Sequence, residues 1–282
     1  MTTYMDVLCK CSFCKKQYED FSIQSTSSFG SRDLDIRPAS PERYTLGDDL
    51  FVCPNCGFIQ LNPNSKVIRS IRTLLNIRRL MDSTDYQFPL EGALPKIAQN
   101  YVRVAMLLNI LNPSIGYYYF LKAAWCCDDC QQEESAKLLR KQALAELKKK
   151  KSITEEDALQ QMDIMRRAGL FDELISENFS DYSDGFKKVR EFQLSLAKGK
   201  DSACHQMDEV FEGEKLSENN GQSEGVITNK SMNQEVAKPM NSSQMTREEI
   251  IDCVVRLIRN SSNSHSEPVD TKSEKEGVYD RN

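Results

Sequence analysis

Ten cysteines stand in the 282 residues, and four of them fall into two tight pairs. Cys11-Ser-Phe-Cys14 runs into Lys15, and Cys53-Pro-Asn-Cys56 runs into Gly57. A CxxC turn aims two thiolates at one ion while N–H groups of the turn stabilise their charge. Two such turns complete the tetrahedral four-cysteine shell that zinc prefers, with Zn–S near about 2.3 Å. Pro54 and Gly57 suit a tight knuckle, because glycine accepts a positive φ. With every position filled by protein none stays open for water. Cys11, Cys14, Cys53 and Cys56 are therefore expected to hold one structural zinc ion per chain. The 38 residues between the pairs (15–52) are long for a compact ribbon. Cys9 is an alternative to Cys11, which the CxxC spacing favours. The competing reading of the four is free thiols or a redox pair.

The remaining metal-capable groups carry weaker patterns. Cys126, Cys127 and Cys130 share a face if helical, but no second pair or histidine lies nearby in sequence to complete a shell, so core packing is expected. Cys204 and His205, between Asp201 and Asp208, match no ligand spacing and are expected at a polar surface. Only two histidines are present, and no Gly-rich phosphate loop, GxSxG elbow or HExxH helix occurs. The chain is expected to be non-enzymatic. Lys66, Arg69, Arg72 and Arg79 fall near one face of the expected first helix. A solvated outer face is the ordinary reading; contact with nucleic-acid phosphates is the alternative. Lys148–Lys151 close a helix, where cations complement the dipole.

These groups must be positioned by the elements around them. The chain is 39% apolar, enough to bury a core over most of its length. Residues 1–152 hold 21 basic and 16 acidic side chains, and 153–282 hold 16 and 26, so the net −5 hides a basic front and an acidic back. A uniformly cationic nucleic-acid coat is excluded. No apolar run reaches the ~18 residues of a membrane span. The N-terminal residues lack a signal-peptide h-region, which predicts a reducing, cytoplasmic setting where clustered thiols stay free for metal. Around the second knuckle, Leu50–Val52 and Phe58–Leu61 read as strands. From Ser65 the period turns helical, through Val67, Ile68, Ile71, Leu74, Leu75 and Met81. Further helices are expected over 94–111, from about 115, over 131–150, after a capping box at Ser152–Glu155 to about 168, and over 185–198. Such consecutive amphipathic helices must bury their stripes on one another, as antiparallel pairs or a short solenoid. After Phe211 the composition predicts a disordered tail, interrupted by an amphipathic helix over 246–260 that opens with the box Thr246–Glu249.

The two knuckles, the stretch Arg32-Asp33-Leu34-Asp35-Ile36-Arg37-Pro38 and the Tyr-rich segment ending Ala123-Ala124-Trp125 together resemble a bacterial family of unknown function. That family joins a cysteine-rich, zinc-ribbon-like segment to TPR-like helices, and the resemblance covers roughly residues 8–210. It implies an architecture and no established activity. The expected fold is mainly α: a zinc-ribbon-like β module (1–64), antiparallel TPR-like helix pairs (65–211) and a mostly disordered tail (212–282). The expected function is that of a zinc-binding adaptor or scaffold with a protein partner and no membrane contact. The alternatives are nucleic-acid binding through the zinc module and the 66–79 face, or thiol redox sensing.

Overall fold

The computed structural model describes residues 1–180 and 182–211. It begins with two antiparallel hairpins. Strands β1 (Thr3–Lys10) and β2 (Gln17–Ser25) form the first, with Cys9 opposite Tyr18 and Lys10 opposite Gln17. β3 (Phe51–Val52) and β4 (Ile59–Gln60) form a two-rung second. Each hairpin is closed by one CxxC turn. The strands around the second pair lie where the apolar runs predict them. The first hairpin is not legible in the sequence, because β1 carries apolar residues on both faces (Tyr4, Met5, Val7, Leu8) and loses its period of two.

The rest is helical: α1 (Ile71–Met81), α2 (Thr84–Gln87), α3 (Lys96–Leu111), α4 (Gly116–Asp129), α5 (Glu133–Leu147), α6 (Glu155–Arg167), α7 (Phe171–Ser176) and α8 (Asp184–Lys198). The mainly α class is the expected one, and α3, α4, α5 and α8 lie close to their expected spans. Two starts differ. Helix α1 begins at Ile71, not Ser65, because the Ile68 N–H donates to the Ser12 carbonyl (3.0 Å) instead of entering a helical turn. Ser70 then caps the helix by accepting from the Thr73 N–H. Helix α6 is capped by Thr154 with Asp157, two residues beyond the Ser152 box. Asp157 is held there by the Tyr117 hydroxyl (2.6 Å) and by Lys150 (2.6 Å). The expectations for residues 212–282, the helix over 246–260 included, lie outside the described residues. Among those described, no helix is long and apolar enough to cross a membrane.

Helix α4 packs on both α3 and α5, and buried Ala123, Ala124, Ala136 and Ala143 allow the close approach. A layer of buried charge joins this core to residues 32–37. Asp33 donates its N–H to the Arg37 carbonyl (3.0 Å), making a tight turn in which Ile36 takes φ +68°. The turn projects Asp35, which is fully buried and accepts from Trp125 Nε1 (2.6 Å). It also projects Arg37, which pairs with Asp129 (2.6 Å). Arg140 grips both oxygens of Asp128 (3.0 and 2.5 Å), and Arg167 adds a third bond to Asp128 (2.9 Å). The other end of the described chain closes on the same turn: the Leu34 N–H donates to the His205 carbonyl (3.0 Å), and the Met207 N–H to the Arg32 carbonyl (2.8 Å).

Arg166 of α6 is wholly buried and bonds Asp163 (2.6 Å), Gln193 of α8 (2.6 Å) and the carbonyls of Asp201 and Ala203 (2.9 and 2.8 Å). Arg166→Met strips Asp163 of its counter-charge and is expected to cost about 3–5 kcal/mol in urea unfolding; a loss below about 1 kcal/mol would refute this role. Acid acts on Asp128. Burial raises its pKa, but Arg140 and Arg167 outweigh burial and hold it below the usual carboxylate range. A folded pKa below the unfolded one stabilises above the unfolded value of about 3.9 and is lost as pH falls through the folded value. Asp128→Asn is therefore expected to lower stability at neutral pH and to flatten its decline between about pH 5 and pH 3. An unchanged acid slope in the variant would assign that decline to other carboxylates.

Candidate metal centre

The two CxxC segments form the same turn twice. The Lys15 N–H donates to the Cys11 carbonyl (2.9 Å) and the Gly57 N–H to the Cys53 carbonyl (2.8 Å). The Cys11 N–H donates to the Lys16 carbonyl and the Cys53 N–H to the Phe58 carbonyl, both at 2.9 Å. The residue after each second cysteine takes a positive φ, +67° at Lys15 and +71° at Gly57. Glycine adopts this at no steric cost, whereas at Lys15 the bond from its N–H to the Cys11 carbonyl offsets the steric cost of a side chain.

The turns face each other and bring four sulfurs together. Cys11 Sγ lies 3.7 Å from Cys56 Sγ and Cys14 Sγ 3.6 Å from Cys53 Sγ, with all four within 4.8 Å of one another. A tetrahedron with Zn–S bonds of about 2.3 Å has edges of about 3.8 Å. The donor set and its size therefore fit a four-coordinate thiolate site for one metal ion. Cys11 and Cys53 are buried, and Cys14 and Cys56 are partly exposed.

Neutral bonds hold the hairpins at this distance. Gln60 of β4 accepts from the N–H (3.0 Å) and hydroxyl (3.3 Å) of Ser12, and its Nε2 donates to the carbonyls of Lys10, Asn62 and Pro63. Phe13 stacks on Phe58 at 5.6 Å. Across the open side Lys16 donates to Asn55 (2.6 Å), whose amide points at Cys14 Sγ (3.5 Å).

Burial pushes the Cys11 and Cys56 thiols up. Burial also opposes ionisation of Cys14, but the Lys16 N–H and the neighbouring thiols prevail and hold it down to about 7. Four thiols so close cannot all ionise without a cation, and a dication held among them offsets half of that charge.

Cys9 stands apart from this group, buried on β1 opposite Tyr18, where burial and Asp20 push its thiol up to about 11. Cys126 and Cys127 lie in the helical core, and Cys130 ends α4. His205 is held between Glu209 (2.7 Å) and Asp201 (3.1 Å), away from the cysteine cluster. The basic set does not share one helix face. Arg72 and Arg79 lie on α1, whereas Lys66 and Arg69 fall in the irregular stretch before it, and all four are exposed. Sequence reasoning missed Gln60, the bolt between the hairpins. Its one signal is a polar residue inside the apolar run Phe58-Ile59-Gln60-Leu61.

Comparison with known protein families matches residues 4–220 to one of them, which covers both knuckles and every described helix. No curated protein and no solved structure matches the chain. By that match the chain belongs to the family described as uncharacterized protein conserved in bacteria (DUF2225).

Proposed function

We propose that Cys11, Cys14, Cys53 and Cys56 hold one structural zinc ion and that the protein is a non-enzymatic adaptor whose zinc module presents a binding face. The sulfur arrangement carries the reading: four thiols at zinc-like spacing on two identical turns. Zinc bound there supplies a cross-link between two hairpins, one of them only two rungs long. The thiols must stay reduced, so the reading places the protein in the cytoplasm.

The binding face is the outer side of the first hairpin. Asp6 faces Phe21 and Leu8 faces Glu19, so Leu8 and Phe21 are diagonal neighbours on one side of the ribbon, with Tyr4 in line. Leu8 is 60% and Phe21 57% exposed. Large apolar side chains clustered in water mark a contact surface for another protein. In this reading α3–α6 act as TPR-like pairs, a rigid backing for the module.

Metal analysis of the protein purified in reductant is expected to give one zinc per chain. Cys9→Ser keeps it, Cys53→Ser/Cys56→Ser loses it, and a chelator strips it faster as pH is lowered, because protons compete for the thiolates. Freshly reduced protein without metal would overturn the zinc site. Leu8→Glu/Phe21→Glu is expected to keep zinc and thermal stability while losing the proteins that co-purify with the native chain. An unchanged set of co-purifying proteins would remove that face as the contact surface.

A further inference from the structure

A cavity of about 340 Å³ opens beside the second knuckle, bordered by Cys56 and Gly57. Val52, Ile59 and Met81 make an apolar wall. Lys96, Asn100 and Arg103 line it as well, spaced i, i+4 and i+7 on α3 and so on one helix face. Among the described residues no carboxylate lines it.

The way Arg103 is held distinguishes this cavity from other charged hollows of the molecule. Its Nε donates to the Tyr86 carbonyl (2.8 Å), Nη2 to the Gln87 carbonyl (2.8 Å) and Nη1 to Asn100 Oδ1 (2.9 Å). Nη2 also donates to Gln99 Oε1 (3.4 Å), and all four acceptors are neutral. They fix the guanidinium without cancelling its charge, and among the described residues neither Arg103 nor Lys96 forms an ion pair. Near α4 the cations lining a cavity are paired instead: Lys122 with Asp49 (2.5 Å) and Arg37 with Asp129 (2.6 Å). Where Arg140 meets Asp128 and Lys137 meets Glu133 those cations are paired as well. Among the described residues, the unpaired cations on the other cavities, Lys200 and Lys66, have no side-chain hydrogen bond that fixes them as Arg103 is fixed. A fixed, partly desolvated cation with no carboxylate beside it projects its field into the space before it, offset in part by the Cys56 sulfur on the same lining. The bond from Arg103 to Oδ1 also turns the donor end of the Asn100 amide, Nδ2, away from Arg103.

We infer that this cavity binds a small organic anion, a phosphate or carboxylate group carried on a compact apolar body. The oxyanion sits against Lys96, Asn100 Nδ2 and Arg103, and the body lies on Val52, Ile59 and Met81. The volume lies in the range of small-ligand sites. The inference does not depend on the identity of the metal, and measuring zinc in the same samples keeps the two readings separable.

The test titrates full-length, zinc-assayed protein with phenyl phosphate, benzoate, inorganic phosphate and phenol at constant ionic strength, followed by calorimetry and thermal shift. Saturable binding of phenyl phosphate or benzoate is expected, and which of the two binds tighter identifies the head group. Inorganic phosphate and phenol, each lacking one half of the ligand, are expected to bind at least about tenfold more weakly. Lys96→Glu, at an exposed position, and Asn100→Asp, which sets a carboxylate beside Arg103, are each expected to cost about tenfold or more in affinity with zinc content unchanged. The inference is overturned by absence of saturable binding of both organic anions, by inorganic phosphate binding as tightly as phenyl phosphate, or by native affinity in both variants. It is equally overturned if Lys96→Glu weakens zinc retention and leaves probe binding intact, because the cations would then serve the thiolate centre.

Discussion

Asp35 is the constraint on which the assembly of this chain turns. A carboxylate removed entirely from water must be matched by donors, and its partners come from distant parts of the sequence: Trp125 Nε1 at 2.6 Å and Arg167 at 3.6 Å. Burial and the nearby Asp163 carboxylate raise its pKa, while Arg167 and Arg140 pull it back. The surrounding ions are arranged in the same way, with Asp128 shared between α5 and α6 through Arg140 and Arg167. Replacing one partner leaves an uncompensated buried charge, whereas the intact set is neutralised pair by pair. The loop between the cysteine pairs is thereby fixed to the helices instead of being a free connection. Ile36 keeps a backbone conformation that a β-branched residue seldom adopts because the ions on either side of it over-determine the turn.

That anchoring also explains how a 38-residue separation between knuckles is compatible with one compact cysteine cluster. The intervening chain does not have to form a closed ribbon of its own. It leaves β2, packs its Asp33–Arg37 turn against α4 and α6, and returns along α3, where the Tyr101 hydroxyl accepts from the Gly47 N–H (2.6 Å) and donates to Asp49 (2.7 Å). The two hairpin tips therefore arrive at each other from a scaffold held elsewhere. Gln60 and the Phe13–Phe58 stack then set the final approach. Among the described residues, positioning by neutral amide and aromatic contacts sets no protein cation against the four sulfurs, so the charge they would carry when ionised would have to be met by a bound metal ion.

Neutral positioning recurs at Arg103, and it separates two uses of charge in this fold. Inside the helical layer, cations and carboxylates are interleaved and satisfy one another. At the cavity beside Cys56, carbonyls and amides hold the cation, and among the described residues no carboxylate is set against it.

The cysteine spacing by itself determined which four thiols belong together, because a CxxC turn is local and its hydrogen bonds are made within five or six residues. The α3, α4, α5 and α8 spans were legible for the same reason: their apolar stripes are short-range properties. Where a local pattern competed with a distant partner, the distant partner decided. Ile68 gave its N–H to Ser12 and delayed α1; Tyr117 and Lys150 held Asp157 and moved the cap of α6. The partners of Gln60, Arg103 and the Asp35 layer were not legible in sequence, since a polar residue announces its type but not the donor or acceptor that burial will set against it. The sequence named the groups capable of chemistry, and only the tertiary structure decided which of them are paired, which are brought to one point and which keep their charge.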